Sequence, residues 1–207
     1  MKTKPDQYKV ILWDFDGVIV ESNKVRESGF RKVLEQFPEE QIEELIKFHN
    51  LNGGLSRYVK FRHFYEVICK SSISEEKVQY LADSFSEIML KKLESKEYLI
   101  NDTVKFIESK SNSIEMNIVS GSDQNELRIL CSRLEIAKNF KSICGSPTPK
   151  NTLVADYLKN SKLRREEVCL IGDSMNDYEA ATVNGIDFYG YNNVELEYLG
   201  RYIKSFL

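Results

Sequence analysis

Asp14 and Asp16 stand one residue apart at the end of the apolar run in "YKVILWDFDGV". Strands disfavour Asp, and turns disfavour residues such as Trp13 and Phe15, so the pair needs a chemical reason. Other polar groups follow later apolar runs. Ser120, Gly121 and Ser122 come after "MNIV", Lys150 closes "GSPTPK", and Asp173 and Asp177 lie in "GDSMND" after "VCLI". If these runs are parallel strands of one sheet, their carboxyl ends share one edge, and open α/β sheets bind ligands there. Four carboxylates, a hydroxyl and an ammonium would then converge. Crowded carboxylates cannot all stay ionised without a cation, and hard oxygen donors with room for water suit Mg²⁺. A lysine and a hydroxyl beside a cation suit a phosphoryl group, so the chemistry indicated is phosphoryl transfer. Asp14 is the expected nucleophile; a carboxylate nucleophile gives an aspartyl phosphate and divides one hard hydrolysis into two easier steps. Asp16, two residues on and facing the same side, is the expected acid and base toward the leaving and attacking oxygens. Gly17 lets the chain turn sharply.

The positioning elements can be read from periodicity. Residues 8–13, 116–120, 142–144, 168–172 and 186–191 are short and nearly all apolar, as expected for parallel strands covered on both faces. Helical patterns alternate with them from residue 99 onward. "DTVKFIESKS" opens on Asp102, a residue able to cap a helix. "DQNELRILCSRLEI" places Leu127, Leu130, Cys131 and Leu134 on one face, and "KNTLVADYLKNSK" groups Leu153, Val154, Tyr157 and Leu158. The alternation predicts an α/β doubly wound fold. Residues 22–97 break it. Four segments there read at helical period, punctuated by Pro38, Gly53-Gly54 and "SSIS", so a helical insert of four helices follows the first strand. The C-terminal "VELEYLGRYIKSFL" reads as an amphipathic helix covering the sheet.

Bulk properties exclude several classes. The 207 residues suit one domain, or a core carrying a smaller insert. A net charge of −3 with no basic stripe argues against a nucleic-acid partner. No apolar run is long enough for a transmembrane helix, and "MKTKPDQYK" lacks the apolar segment of a secretory signal. Cys69, Cys131, Cys144 and Cys169 are scattered without a CxxC pair, and neither His49 nor His63 stands at zinc-ligand spacing from them. We therefore expect reduced packing cysteines, a cytoplasmic location, and a monomer or weak dimer.

The segments "DFDGV", "IVSGS", "SPTPK" and "GDSMND" resemble, in order, the four motifs of the haloacid dehalogenase superfamily. The resemblance runs over nearly the whole chain and is greatest to the β-phosphoglucomutase and phosphoglycolate phosphatase branch. It implies a Rossmann-like core, residues 1–20 and 98–207, with strand order 3-2-1-4-5, and a helical cap domain, residues 21–97. It also implies roles. Asp14 is the nucleophile and a Mg²⁺ ligand, and Asp16 is the acid/base and offers its backbone carbonyl to the metal. Ser120 and Lys150 hold the phosphoryl group with help from the Gly121 amide, and Ser122 lies in the same phosphate-binding loop. Asp173 ligates Mg²⁺, and Asp177 supports its water shell or Lys150. True dehalogenases lack an aspartate at the position of Asp16, so phosphate esters are favoured over carbon–halogen bonds. "NGGLSRY" is similar to the cap loop that contacts the substrate's distal group, which makes Gly54, Ser56 and Arg57 candidates. An arginine fork suits a carboxylate or a second phosphate. The mutase pattern has a lysine where this chain has Gly53, which favours a phosphatase.

The expectation is therefore a Mg²⁺-dependent phosphomonoesterase for a small phosphorylated metabolite, a sugar phosphate or a phospho-acid. Its rivals are a phosphosugar mutase and a non-catalytic phosphate-binding or regulatory protein. A receiver domain would carry its aspartate on the third strand and lack a cap. Blander readings apply to the rest of the cap. Lys60 is expected on a solvated face and His63 in packing, while Glu21 and Asn23 are weaker candidates to touch substrate. Asp177 can also cap the helix beginning near Asn176.

Overall fold

The computed structural model describes residues 4–206. Its centre is a parallel sheet of six strands in the order β3-β2-β1-β4-β5-β6. The strands are β1 (Val10–Trp13), β2 (Glu115–Asp123), β3 (Ser142–Ser146), β4 (Val168–Gly172), β5 (Asp187–Tyr191) and β6 (Tyr202–Ile203). β1 is central, pairing Trp13 with Ile118 of β2 and with Ile171 of β4.

The unbroken apolar character of β1 follows from this placement. Successive side chains point to opposite faces. Val10 and Leu12 pack with Val154 of α7 (Lys150–Asn160) and with Ala180 and Ala181 of α8 (Met175–Asn184). Ile11 and Trp13 pack on the other face with Ile107 of α5 (Asn101–Lys110) and Leu127 and Leu130 of α6 (Gln124–Arg133). Both faces are covered, so both parities must be apolar.

The insert forms the four expected helices: α1 (Asn23–Val33), α2 (Glu39–Leu51), α3 (Arg57–His63), extended by a π-helical turn over Phe64–Ile68, and α4 (Glu75–Lys92). Phe30 of α1 is their common centre, with ring centroids 5.4 Å from Phe61 and 4.5 Å from Phe85. At Gly29 a Cβ would lie 2.5 Å from Met89 Cε, so glycine permits the close approach of α1 and α4. His63 stacks on Phe48 at 3.7 Å, a packing role. The chain leaves and re-enters the sheet region through paired segments. Glu21 N–H donates to Tyr98 O at 2.7 Å, and Ile100 N–H to Ile19 O at 2.9 Å.

Two local readings need correction. The described part of the C-terminal segment, residues 194–206, does not form the expected amphipathic helix: a short 3₁₀ turn spans Val194–Leu199, and Tyr202–Ile203 adds the edge strand β6; Leu207 lies outside the described residues. Gly200, at φ +105°, ends the turn with a conformation open mainly to glycine. Phe206 then packs against Trp13, Phe106 and Tyr191. Asp102 is not an N-cap but lies in the first turn of α5, where it accepts from Tyr191 Oη at 2.6 Å. The four cysteines are free, and among the described residues no helix is long and apolar enough to cross a membrane.

Leu45 is fully buried in α2 among the insert's apolar side chains. Leu45→Ala is expected to cost about 2–5 kcal/mol through lost burial and the cavity left behind. Urea denaturation followed by circular dichroism measures it; a loss under about 1 kcal/mol would show that the insert's core is not tightly packed.

Candidate active site

The carboxyl edge of the sheet gathers the acidic residues. Asp14 directly follows β1 and is fixed by its N–H bond to Ile171 O at 2.9 Å. Asp173 directly follows β4. Asp177 is the third residue of α8 and is clamped by the N-cap Ser174, whose N–H and Oγ donate to it at 3.1 and 2.6 Å. Asp177 is thus part of a capping box rather than the cap itself. Lys150, the first residue of α7, pairs with Asp14 Oδ1 at 2.9 Å and with Asp177.

Asp14, Asp173 and Asp177 each bring a carboxylate oxygen within 4.8 Å of the others. Burial, and then the charge of Asp177, push the Asp14 carboxyl up to about 7, against the lowering pull of Lys150. Burial and then Asp14 and Asp177 hold Asp173 well above the usual carboxylate range. Lys150 moves the other way: burial lowers it, but Asp14 and Asp177 outweigh burial and keep it charged. One ammonium cannot compensate three crowded carboxylates, two of them buried and Asp173 half-buried, so the cluster fits a hard divalent cation. Gly17, at φ +72°, makes room for it, because a Cβ there would collide with the Asp173 carboxylate.

Asp16 faces a different environment. It accepts from Ser22 Oγ, from Ser122 Oγ at 2.5 Å and from Arg26 Nε at 2.7 Å. Burial alone would raise it, but the Arg26 charge and the two hydroxyls prevail and hold it below its ordinary value. Arg26 comes from α1, so a residue of the insert reaches the expected acid/base. Its Nη1 donates to Glu126 of α6 at 2.7 Å, and Glu126 also receives Arg57 Nη1 of α3 at 2.5 Å. Arg57 is held further by Ser86 Oγ at 2.6 Å and by the Phe85 ring, 4.6 Å from Cζ. Burial would raise Glu126, but the two arginines hold it low. The backbones also close together: a Cβ on Gly121 would strike the carbonyl of Gly54, and one on Gly54 would lie 2.7 Å from Asn176 Cβ.

Between these two shells lies a cavity of about 380 Å³. Asp14, Asp16, Ser120, Gly121, Ser122, Asp173, Gly54 and Arg57 all line it. Lys150 and Asp177 stand behind Asp14 and are not exposed to it. Ser56 is turned away: its Oγ accepts from Val59 N–H at 3.4 Å as the N-cap of α3. Asn23 lines the cavity and donates to Asp173 at 3.5 Å, whereas Glu21 instead accepts from Asn192 Nδ2.

Lys60 requires a correction. It is not on a solvated face; only 3 % of it is exposed, and it lines the cavity. The helix turns this side toward Phe30 and His49, and Nζ donates to His49 Nδ1 at 2.9 Å and Gly53 O at 3.1 Å. Burial is the main cause that pushes Lys60 down to about 7. Burial, then Lys60 and Arg26, push His49 down to about 3, so its ring is neutral. Sequence reasoning also missed Arg26 and Glu126. A signal existed for Glu126, which shares the buried face of its helix with Leu130 four residues on.

A family model describing haloacid dehalogenase-like hydrolases matches residues 11–191. The chain belongs to this family. No curated protein matches it. Among solved structures, it is similar to a β-phosphoglucomutase from Clostridium difficile, with a TM-score of 0.73 and 19% identity over 96% of this chain and 92% of the other. It is similar to a predicted phosphatase from Clostridium acetobutylicum, with a TM-score of 0.74 and 17% identity over 96% and 94%. A haloacid dehalogenase-like family protein from Streptococcus pneumoniae aligns with a TM-score of 0.68 and 18% identity over 95% and 93%. At these identities the likeness concerns the fold.

Glu126 neutralises two buried guanidinium groups at once. Glu126→Ala is expected to destabilise the protein by about 3–5 kcal/mol, because it leaves buried charge uncompensated. Thermal and urea unfolding of the variant measure this, and a change under about 1 kcal/mol would mean that the two arginines find water or other partners.

Proposed function

We propose that the protein is a Mg²⁺-dependent phosphomonoesterase acting on a small phosphorylated metabolite, a sugar phosphate or a phospho-acid, through an aspartyl phosphate on Asp14. The observation that carries this reading is the cluster of Asp14, Asp173 and Asp177 with Lys150 behind it, which meets a cavity edged by Ser120 and Gly121. Asp14, Asp173 and the Asp16 backbone carbonyl would hold the cation, with Asp177 behind them. The cation would offset the negative charge of the phosphoryl group and of the carboxylates around it.

Asp14 attacks phosphorus, and the bond from phosphorus to the leaving oxygen breaks. Asp16 delivers a proton to that oxygen. Water then attacks the phosphoryl group on Asp14, Asp16 takes a proton from the water, and inorganic phosphate and free Asp14 result. The donors around Asp16 favour its ionised form, which suits it as the base of the second step and works against the proton it must carry in the first. Ser120 Oγ and the Gly121 amide hold the phosphoryl oxygens during both steps, and Lys150, paired with Asp14 and Asp177, lends its positive charge from behind Asp14. Residues 21–97 act as a cap over a core of residues 1–20 and 98–207. Closure brings Arg26 onto Asp16, Arg57 onto Glu126 and Gly54 against Gly121, and it excludes water from the cavity.

Release of phosphate from an aryl phosphate and a panel of sugar and acid phosphates, with Mg²⁺ and with chelator, tests this reading. Activity is expected only with the metal, and Asp14→Asn is expected to fall below about one-hundredth of wild type while remaining folded. Residual turnover above a few per cent would remove Asp14 as the nucleophile. Metal-independent turnover would remove the cation from the account.

A further inference from the structure

Asn192 and Asn193 directly follow β5 and line the cavity. The ladder between β4 and β5 ends with Gly172 opposite Gly190, so its bonds stop one residue short of Asp173. Two side-chain amides act beyond that point. Asn193 Nδ2 donates to the backbone carbonyl of Asp173 at 2.8 Å. Asn192 Nδ2 donates to the carbonyl of Gly17 at 3.0 Å and to the Glu21 carboxylate at 3.2 Å.

Local chemistry brings both amides to one edge. Successive side chains of an extended chain point to opposite sides, so two neighbours share an edge only where the backbone turns. Asn192 turns it, at φ +54°, a left-handed conformation that asparagine tolerates better than most side chains. Asn193 is oriented from its other end: Oδ1 accepts from Glu195 N–H at 3.1 Å as the N-cap of the 3₁₀ turn, while Nδ2 serves Asp173. The two targets abut. Gly17 N–H donates to Val20 O at 2.8 Å, its carbonyl takes Asn192, and a Cβ on it would strike the Asp173 carboxylate. Neither segment can shift far without displacing the other.

We propose that Asn192 and Asn193 are positioning residues for the cation: from the loop after β5 they fix the Gly17 turn and Asp173, and so set how tightly a divalent cation is held. The inference rests on the cation of the phosphatase reading. Asp14 is held by the bond from its N–H to β4, and Asp177 by its capping box. Asp173, repelled by both, has Asn193 to hold its backbone and Asn23 at 3.5 Å from its carboxylate. A neutral amide suits this position. It restrains Asp173 through the backbone and leaves the carboxylate charge for the cation, whereas a second lysine would compete with the cation. Groups that orient a metal's ligands commonly change its affinity by about tenfold or more. A purely structural pair would tie the β5 loop to its neighbours and leave the cation affinity of the folded protein untouched.

Calorimetric titration of wild type, Asn193→Ser and Asn192→Gly with Mg²⁺ tests the proposal. Serine keeps a capping oxygen for the 3₁₀ turn but lacks the amide, and glycine keeps the left-handed backbone but lacks the side chain. Each variant is expected to bind Mg²⁺ about tenfold or more weakly, while its thermal unfolding midpoint in chelator stays close to that of wild type. Wild-type affinity in one variant would remove that residue from the proposal, and in both would overturn it. Weakened binding matched by lost structure in chelator, followed by circular dichroism, would also overturn it, because the asparagines would then only stabilise the fold. The phosphatase reading fails separately, if wild type binds Mg²⁺ and the variants bind it weakly but no phosphate ester is turned over; the positioning role then stands. A wild-type protein that binds no Mg²⁺ would remove both.

Discussion

Buried carboxylates repel one another, and Asp14, Asp173 and Asp177 can offer oxygens within 4.8 Å of each other only because the surrounding backbone gives them no alternative. Asp14 and Asp173 extend directly from adjacent central strands held in register by parallel pairing. Asp177 is fixed by a capping box at the start of α8, where the helix N-terminus also favours negative charge. Lys150 sits between Asp14 and Asp177 and relieves part of the repulsion. The two apolar layers that cover β1 thus serve a purpose beyond stability: they hold the strand ends rigid against an electrostatic force that would spread them. The repulsion left over suits the cluster to holding a divalent cation.

A second electrostatic arrangement joins the insert to the sheet. Arg26 and Arg57 come from the insert, while Asp16 and Glu126 come from the sheet side. Tyr58 Oη adds a further bond to Asp123 at 2.9 Å. Because Arg26 touches Asp16 directly, a residue of the insert sets the charge state that Asp16 favours.

The sequence made the sheet and its polar edge legible because both depend on local pattern. A run of four apolar residues followed by two aspartates can hardly be anything but a central strand ending at a site. The insert's four helices were legible for the same reason. The C-terminal segment was misread because its apolar spacing suits a helix, while Gly200 interrupts it and β5 offers an unpaired edge. Lys60 was misread because lysine is usually solvated, and its burial depends on a long-range meeting of α1, α2 and α3 that no local spacing reveals. Arg26 and Glu126 are 100 residues apart in sequence, and only the folded chain brings them together.

The central claim is that Asp14 carries the phosphoryl group in mid-reaction. Acid quenching of the protein during turnover of a good phosphate ester, followed by peptide mass mapping, tests it directly. The account predicts one phosphoryl group on the peptide containing Asp14, labile at neutral pH and absent from Asp14→Asn. Turnover with no phosphorylated peptide, together with single-step inversion at a chiral phosphorus, would contradict it and assign the attack to water.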